Sequence, residues 1–426
     1  MSARRKAYDA LTDVTDRGAY ANLRVKQLSR DLPEREAKYA AALVYTTLDH
    51  LLTIDYYLSF FVKGGIKPAV RGVLRLGVCE LLYMHTPAHA AVNESVLLTR
   101  EIGKGALSGF VNGVLRSVSR SSEASSLPAL PKEPLKRLSI RYSYPEWIVS
   151  EWLAAYGEAQ TEQLLSCSAA PVEVRAQDPF TTDELIAALP VGCRRNRWDE
   201  NSLALETGFD IASSPLFTEG KFTVMGQGAM LVCRALGDMT KKRVLDACAA
   251  PGGKSAYLFS LCRGDVSLTC LEKHPHRAEL LEKTLRRLHV TAESRVCDAS
   301  EFDTANETQF DAVLVDAPCS GLGLLGDKPD LRYSKTDADV TALAALQKEI
   351  LAACHRYVRP GGLLVYATCT ISRRENELQT EEFLAEHADF SPERMPLPIE
   401  NDGMLQLLPH VHGTDGFFIA RMRKCI

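Results

Sequence analysis

The chain has 426 residues, with 50 Lys and Arg against 54 Asp and Glu and a formal net charge of −4. At about 150 residues per domain that length implies two or three cores, and 46% hydrophobic with 24% charged residues is a globular balance that excludes global disorder. No run approaches the roughly 20 apolar residues that span a bilayer. The opening MSARRKAYDALTDV carries positive charge without an apolar stretch behind it, so no secretory signal and a cytoplasmic location are expected. The twelve cysteines are scattered, without a CxxC pair or the Cys/His spacing of a zinc site, which predicts reduced thiols and no metal.

The first 120 residues read as helical. Val70, Val73, Leu74, Val78, Leu81 and Leu82 recur at spacings of three and four, and further apolar runs lie at 40–62, 90–99 and 106–118. Gly64, Gly65 and Pro87 punctuate them. SRSSEASSLPALP (119–131) is rich in Ser and Pro and reads as a linker. Residues 132–225 are mixed: a helix through Trp147, Trp152 and Leu153, a strand at VEVRA (172–176), and a helix opened by Thr and acidic residues in TTDELIAAL (181–189).

From about residue 240 the pattern changes. RVLDACA (243–249), VSLTCLE (266–272), FDAVLVDAP (310–318) and LLVYATC (363–369) alternate with helical segments, which predicts a parallel sheet covered by helices on both faces. In such sheets ligands bind beyond the carboxyl ends of the strands. The expected domains are therefore 1–125, all helical; 132–225, small and α+β; and 226–426, α/β. Residues 1–125 hold 17 Lys and Arg against 12 Asp and Glu, and the remainder 33 against 42. A mildly basic front half suits RNA docking, although a solvated basic face has the same composition. The clusters Arg194-Arg195-Arg197, Lys241-Lys242-Arg243 and Arg373-Arg374 read as solvated surface.

Candidate functional residues sit at the strand ends. DACAAPGGKS (246–255) places two glycines before a helix, where backbone can approach a ligand, and it lacks the spacing of a P-loop. Glu272 could accept hydrogen bonds from both hydroxyls of a ribose, and Asp298 from an adenine amino group. Asp316 and Cys319 follow one strand and Cys369 ends another. A thiolate that adds to C6 of cytosine makes C5 nucleophilic, and a second group must then help remove H5 and expel the sulfur. Two thiols, a carboxylate and a lysine are suitable parts for that reaction.

DACAAPGGKS, DAPCSG and YATCTISRRENE resemble the signature blocks of the RNA cytosine-C5 methyltransferases. AVNESVLLTREIGKGALSGFVNGVLRSV (91–118) resembles the helical RNA-binding domain of the NusB family. The domain order is similar to the RsmB, Sun or Fmu type that acts on 16S ribosomal RNA. The resemblance implies an α/β Rossmann-like S-adenosylmethionine-dependent methyltransferase domain, preceded by an all-α NusB-like domain and a small α+β domain. It further implies that Cys248, Ala249, Ala250, Pro251, Gly252, Gly253 and Lys254 hold the methionine part of S-adenosyl-L-methionine. Glu272 then takes the ribose and Asp298 the adenine, while Asp316 lies between cofactor and base and Lys254 also contacts the base. Cys369 matches the nucleophile and Cys319 the cysteine that helps release product. The implied partner is 16S ribosomal RNA, with no DNA and no membrane, and the implied state is a monomer.

Two departures from the family pattern stand out. Leu325-Gly326-Asp327-Lys328-Pro329-Asp330 replaces the usual paired arginines before Pro-Asp, and Val224-Met225-Gly226-Gln227 replaces a Gln-Asp pair. The alternatives are a transfer-RNA cytosine-C5 methyltransferase, which shares the catalytic blocks, and a non-catalytic RNA-binding or antitermination-type factor.

Overall fold

The computed structural model describes residues 2–426. It divides into two units, one running up to residue 167 and including 327–336, the other made of 168–326 and 337–426.

The first unit is helical: α1 (Ala3–Arg17), α2 (Ala21–Asp31), α3 (Glu34–Asp49), α4 (Leu51–Phe61), α5 (Pro68–Leu82), α6 (Ala88–Glu101), α7 (Ser108–Glu123), α8 (Pro134–Tyr142) and α9 (Glu146–Leu165). Pro68 opens α5 at a position where its fixed φ suits the helix and its missing N–H is not needed. The stripe read from α5 is buried at Val70, Val73, Leu74 and Val78 and packs with Leu43, Val44, Leu115 and Val118. The expected linker starts later than its composition suggests. Residues 119–123 complete α7, because Leu115 and Val118 anchor its apolar face and Ser119 Oγ donates to Glu123 Oε1 at 2.8 Å. The chain returns to this unit at 327–336. There Tyr333 Oη donates to the carbonyls of Leu48 (2.7 Å) and Ser143 (2.8 Å), and Asp330 accepts from the Ala21 N–H at the head of α2 (3.2 Å).

The second unit opens with β1 (Glu173–Ala176), α10 (Thr182–Ala188), β2 (Cys193–Arg195), β3 (Ser202–Leu205), α11 (Pro215–Thr218) and β4 (Phe222–Val224). Among the described residues these strands form an antiparallel sheet in the order β2-β3-β1-β4. Helix α10 begins with a capping box, in which Thr181 and Glu184 each accept from the other's backbone N–H.

There follow α12 (Gln227–Ala235), β5 (Arg243–Asp246), α13 (Gly253–Leu261), β6 (Ser267–Glu272), α14 (Pro275–Arg287), β7 (Glu293–Val296), β8 (Phe310–Asp316), α15 (Asp337–Cys354), β9 (Val358–Thr368), α16 (Glu377–Glu386), β10 (Phe390–Pro392), β11 (Met404–Leu407) and β12 (Phe417–Lys424). The strands run in the order β10-β12-β9-β8-β5-β6-β7, with β11 also on β12. The pairs among β9, β8, β5, β6 and β7 are parallel, as the alternating pattern predicts. The sheet as a whole is mixed, because β10, β11 and β12 pair antiparallel. Residues 408–416 are too few for the crossover of a dozen or more that a parallel connection from β11 to β12 needs.

Successive residues of a strand face opposite sides of a sheet. Val313, Val315, Leu364 and Tyr366 therefore pack with Ile350 and Leu351 of α15, while Ala312, Leu314, Leu363 and Val365 pack with Leu231 and Val232 of α12. Burial on both faces explains why these strands read as continuous apolar runs. Among the described residues no helix is long and apolar enough to cross a membrane.

In the first unit one buried ion pair joins four helices. Arg4 of α1 is bonded to Glu80 of α5, to Tyr39 Oη of α3 (3.2 Å) and to the Ala91 carbonyl of α6 (3.5 Å), and Tyr39 Oη donates to Glu80 at 2.5 Å. Glu80 is 0% exposed, and burial pushes its carboxyl above the ordinary range even though Arg4 and Tyr39 pull it down. Arg4→Met leaves that carboxylate without its cation, and breaking such a pair costs about 3–5 kcal/mol. Without Arg4 the Glu80 carboxyl rises further, so the deficit should be full above the variant's value and shrink as pH falls through it towards the wild-type one. Urea unfolding of the full chain at neutral and mildly acidic pH measures this; an equal deficit at both would show that Glu80 is not its source.

Candidate cofactor and catalytic site

Strands β8 and β9 pair in parallel with Asp316 opposite Ala367, and the Ala317 N–H donates to the Ala367 carbonyl at 2.9 Å. The loops that follow therefore leave the sheet at the same rim. Cys319 lies in the first loop and Cys369 in the second, with their Sγ atoms 3.2 Å apart and the Cys369 N–H donating to Cys319 Sγ at 3.3 Å. Gly323 draws the loops together. Its N–H donates to the Cys369 carbonyl (3.0 Å) and its own carbonyl accepts from the Gly416 N–H (2.9 Å). A Cβ there would lie 1.9 Å from the Gly416 oxygen and 2.8 Å from that of Cys369, a closeness that only glycine allows.

On the neighbouring strand, β5 ends at Asp246 and the chain turns into α13. Gly252 makes the turn with φ +103°, and a Cβ there would meet Leu281 at 2.9 Å. The first turn of α13 then projects Lys254 to Asp316, with Nζ 2.6 Å from Oδ2. Burial alone would lower the Lys254 pKa, but the Asp316 charge and hydrogen bond raise it above the ordinary value, so the lysine stays cationic. Ser255 Oγ donates to Asp246 Oδ2 at 2.6 Å. Burial pushes the Asp246 carboxyl up to about 6, Ser255 pulls it down, and the charge of Asp316 adds to the rise.

Glu272 ends β6, is 4% exposed, accepts from the His274 N–H at 2.9 Å and lies 3.6 Å from Arg277 Nη1. Asp298, just past β7, accepts from the Ser300 N–H (3.0 Å) and Oγ (2.8 Å) and pairs with Lys273 at 2.5 Å. Burial raises its carboxyl, but Lys273 and Ser300 outweigh that and hold it below the ordinary range.

These groups surround one cavity of about 490 Å³. Of the residues singled out in the sequence, Cys248, Ala250, Lys254, Glu272, Asp298, Asp316, Cys319 and Cys369 line it. Ala249, Pro251, Gly252 and Gly253 are not among its lining residues. Ala249 packs beside Ala256, Cys270 and Leu281, and the other three carry the turn into α13. Sequence reasoning missed Lys273, Arg277, Leu346, Ile350 and Phe417, which line the same cavity. The first two follow Glu272 by one and five positions and were within reach of the argument that found it. Leu346 and Ile350 look like any core positions of α15, and Phe417 arrives from a strand far along the chain. The arrangement offers three thiols, of which those of Cys319 and Cys369 meet, the cations of Lys254, Lys273 and Arg277, and several carboxylates. The Cys369 contact and then burial hold the Cys319 thiol well above its ordinary pKa, which keeps it protonated.

Comparison with known proteins follows this geometry. Residues 234–423 match the family described as 16S rRNA methyltransferase RsmB/F, and residues 1–120 match the NusB family. The chain is 37% identical over 445 residues to the probable ribosomal RNA small subunit methyltransferase B of Bacillus subtilis, covering 99% of each. The crystal structure of PH0851 shares the fold over 99% of each chain, with a TM-score of 0.82 at 23% identity. A methyltransferase homolog protein from Pyrococcus horikoshii matches 69% of this chain and 100% of its own, with a TM-score of 0.60 at 25% identity. A Rossmann-like sheet carrying these blocks, a NusB-like front end and likeness along the whole length lead to one assignment: the chain belongs to the RsmB/F family of 16S rRNA methyltransferases.

Proposed function

We propose that this methyltransferase acts on C5 of a cytosine in 16S ribosomal RNA, with S-adenosylmethionine as methyl donor and Cys369 as covalent catalyst. The observation that carries this reading is the pair of thiols 3.2 Å apart at the ends of adjacent parallel strands, beside the Lys254–Asp316 ion pair.

The residues present fit the cofactor. Glu272 offers a buried carboxylate for the ribose hydroxyls and Asp298 one for the adenine amino group, while Leu346 and Ile350 provide an apolar wall. Cys248, Ala250 and Lys254 line the same cavity and are available to the methionine portion. When bound, S-adenosylmethionine supplies an electrophilic methyl group on its sulfonium.

The protein's own groups do the rest. The Cys369 thiolate adds to C6 of the base, which leaves C5 as the nucleophilic carbon of an enamine. Lys254 remains charged beside Asp316 and is placed to stabilise negative charge that develops on the base. After C5 has gained its methyl, H5 leaves to a basic group and the C6–sulfur bond breaks, the Cys369 sulfur leaving as a thiol with the proton that Cys319 carries. Cys319, whose sulfur touches that of Cys369, assists this elimination. Residues 1–125 supply RNA affinity through their mildly basic surface, the antiparallel sheet within 173–224 forms the small α+β element while 134–165 belong to the helical unit, and residues 226–426 carry the chemistry. Methylation of purified ribosomal and transfer RNA, followed by mapping of the modified base, tests the substrate.

Two further outcomes are expected. Cys369→Ala should abolish both methylation and any covalent protein–RNA species, because no adduct can form. Cys319→Ala should still add and methylate but release slowly, accumulating a cofactor-dependent complex that survives denaturing electrophoresis. A trapped complex with Cys369→Ala and none with Cys319→Ala would reverse the two roles.

The cofactor and RNA sites should separate in the same way. Asp298→Ala removes a hydrogen-bond acceptor worth about 1–3 kcal/mol, so cofactor affinity should fall about tenfold while RNA affinity stays near wild type. Calorimetric titration that finds cofactor affinity unchanged would remove Asp298 from the ligand set.

A further inference from the structure

Beneath the two cysteines, and not among the lining residues of the cavity, lies a buried polar cluster that the reaction above leaves unused. Its centre is Glu375-Asn376, both 0% exposed, at the head of α16. Glu375 Oε1 accepts from the Ser320 N–H (2.9 Å) and from Gln347 Nε2 (3.0 Å), and Oε2 accepts from Ser320 Oγ. Gln347 also donates to the Pro318 carbonyl at 2.9 Å. The residues on both sides of Cys319 are thus held by one carboxylate and its amide partner.

Asn376 does the same for Cys369. Its Oδ1 accepts from Thr368 Oγ1 (2.5 Å) and its Nδ2 donates to the Thr370 carbonyl (3.1 Å) and to Gln406 Oε1 (2.7 Å). A 2.8 Å bond between Ser320 Oγ and Thr370 Oγ1 closes the ring between the two loops, and Tyr366 Oη donates to the Glu375 carbonyl at 2.6 Å. Desolvating a carboxylate this fully is costly unless hydrogen bonds offset it. Packing alone would be served as well by an apolar side chain, so the charge points to a use.

We propose that Glu375 and Asn376 are positioning residues for the methylation reaction, holding the loops of Cys319 and Cys369 so that the two sulfurs meet over one base. Glu375 also acts on the Cys319 thiol electrostatically. Its charge adds to the Cys369 contact and burial in keeping Cys319 protonated, the form suited to assist release. Glu375 itself is raised by burial, against the hydrogen bonds of Ser320, Gln347 and Thr370. The inference rests on the two-cysteine chemistry proposed above and extends it to residues that touch neither base nor cofactor.

The test uses the full-length protein with Glu375→Gln and Glu375→Asp. A misplacement of about 1 Å at reacting groups costs about 10²-fold. Glu375→Gln should therefore lower kcat by about that factor, with the KM for RNA and the Kd for cofactor within about twofold of wild type. Alkylation of Cys319 by iodoacetamide, followed by peptide mass spectrometry between about pH 7 and 10, gives an independent readout, because below the raised pKa the rate follows the small thiolate fraction. At each pH the rate should rise in Glu375→Gln, where the neighbouring charge is gone. It should stay near wild type in Glu375→Asp, which keeps the charge while shortening the reach and so loses kcat. Wild-type kcat with an unshifted alkylation profile in Glu375→Gln overturns the proposal, and so does a loss of kcat accompanied by equal losses of cofactor and RNA binding. The alkylation profile needs no turnover, so it remains readable if Cys369 proves not to be the nucleophile.

Discussion

The parallel pairing of β8 with β9 is the constraint on which the catalytic arrangement depends. Asp316 and Ala367 share a rung, so the residues just beyond them leave the sheet side by side. A one-residue slip would turn Val313, Val315, Leu364 and Tyr366 away from one core and into the other, so that neither face would keep its packing. The same packing that makes these strands read as unbroken apolar runs thereby sets the register of two cysteines 50 positions apart in sequence. Gly323 completes the constraint, since its carbonyl and N–H join Gly416 to Cys369 through a gap that admits no side chain.

Electrostatics then assigns different roles to chemically identical groups. Lys254 from the first turn of α13 and Asp316 from the end of β8 neutralise each other at 2.6 Å inside the site. A charge pair there acts through a lower effective dielectric than in water, so its orientation matters more than it would on the surface. Asp246 is buried in the same sheet rim and feels Asp316 as a like charge, which is why its carboxyl is pushed up to about 6 while Asp298, paired with Lys273, is held down. Five carboxylates lie at the ends of the strands and behind the cysteines, and their environments set them apart. Glu375 is the one placed behind the cysteines instead of in front of them.

Much of this was legible in the sequence, and the limits are physical. The α5 stripe, the parallel strands and the residues that end them follow from local periodicity, because burial on one or two faces writes itself into neighbouring positions. The antiparallel edge formed by β10, β11 and β12 did not, since β10 and β11 are only three and four residues long and β12, FFIARMRK, mixes its apolar residues with basic ones. The end of the front helix was misplaced for a related reason. Ser-rich composition signals a linker, yet tertiary burial of Leu115 and Val118 carries α7 on to Glu123. Eight of the singled-out residues line the cavity because they sit within three positions of a strand end or in the turn that follows one. Phe417 and the Glu375-Asn376 cluster reach their places through long-range folding, which no local spacing records.

The departure from the family pattern at residues 325–330 takes on a different meaning in three dimensions. Leu325 is 2% exposed and a Cβ on Gly326 would lie 3.3 Å from Ala169 Cα, so the start of the block is packed, while Asp327 and Lys328 are exposed. Pro329 and Asp330 belong with the helical unit, where Asp330 is 5% exposed and accepts from the Ala21 N–H at the head of α2. Two residues on, Arg332 is buried, pairs with Asp49 and lies over the Tyr144 ring. The Pro-Asp part of the block is therefore accounted for by the architecture of the first unit. Lys328 is the basic side chain of the block that stays exposed.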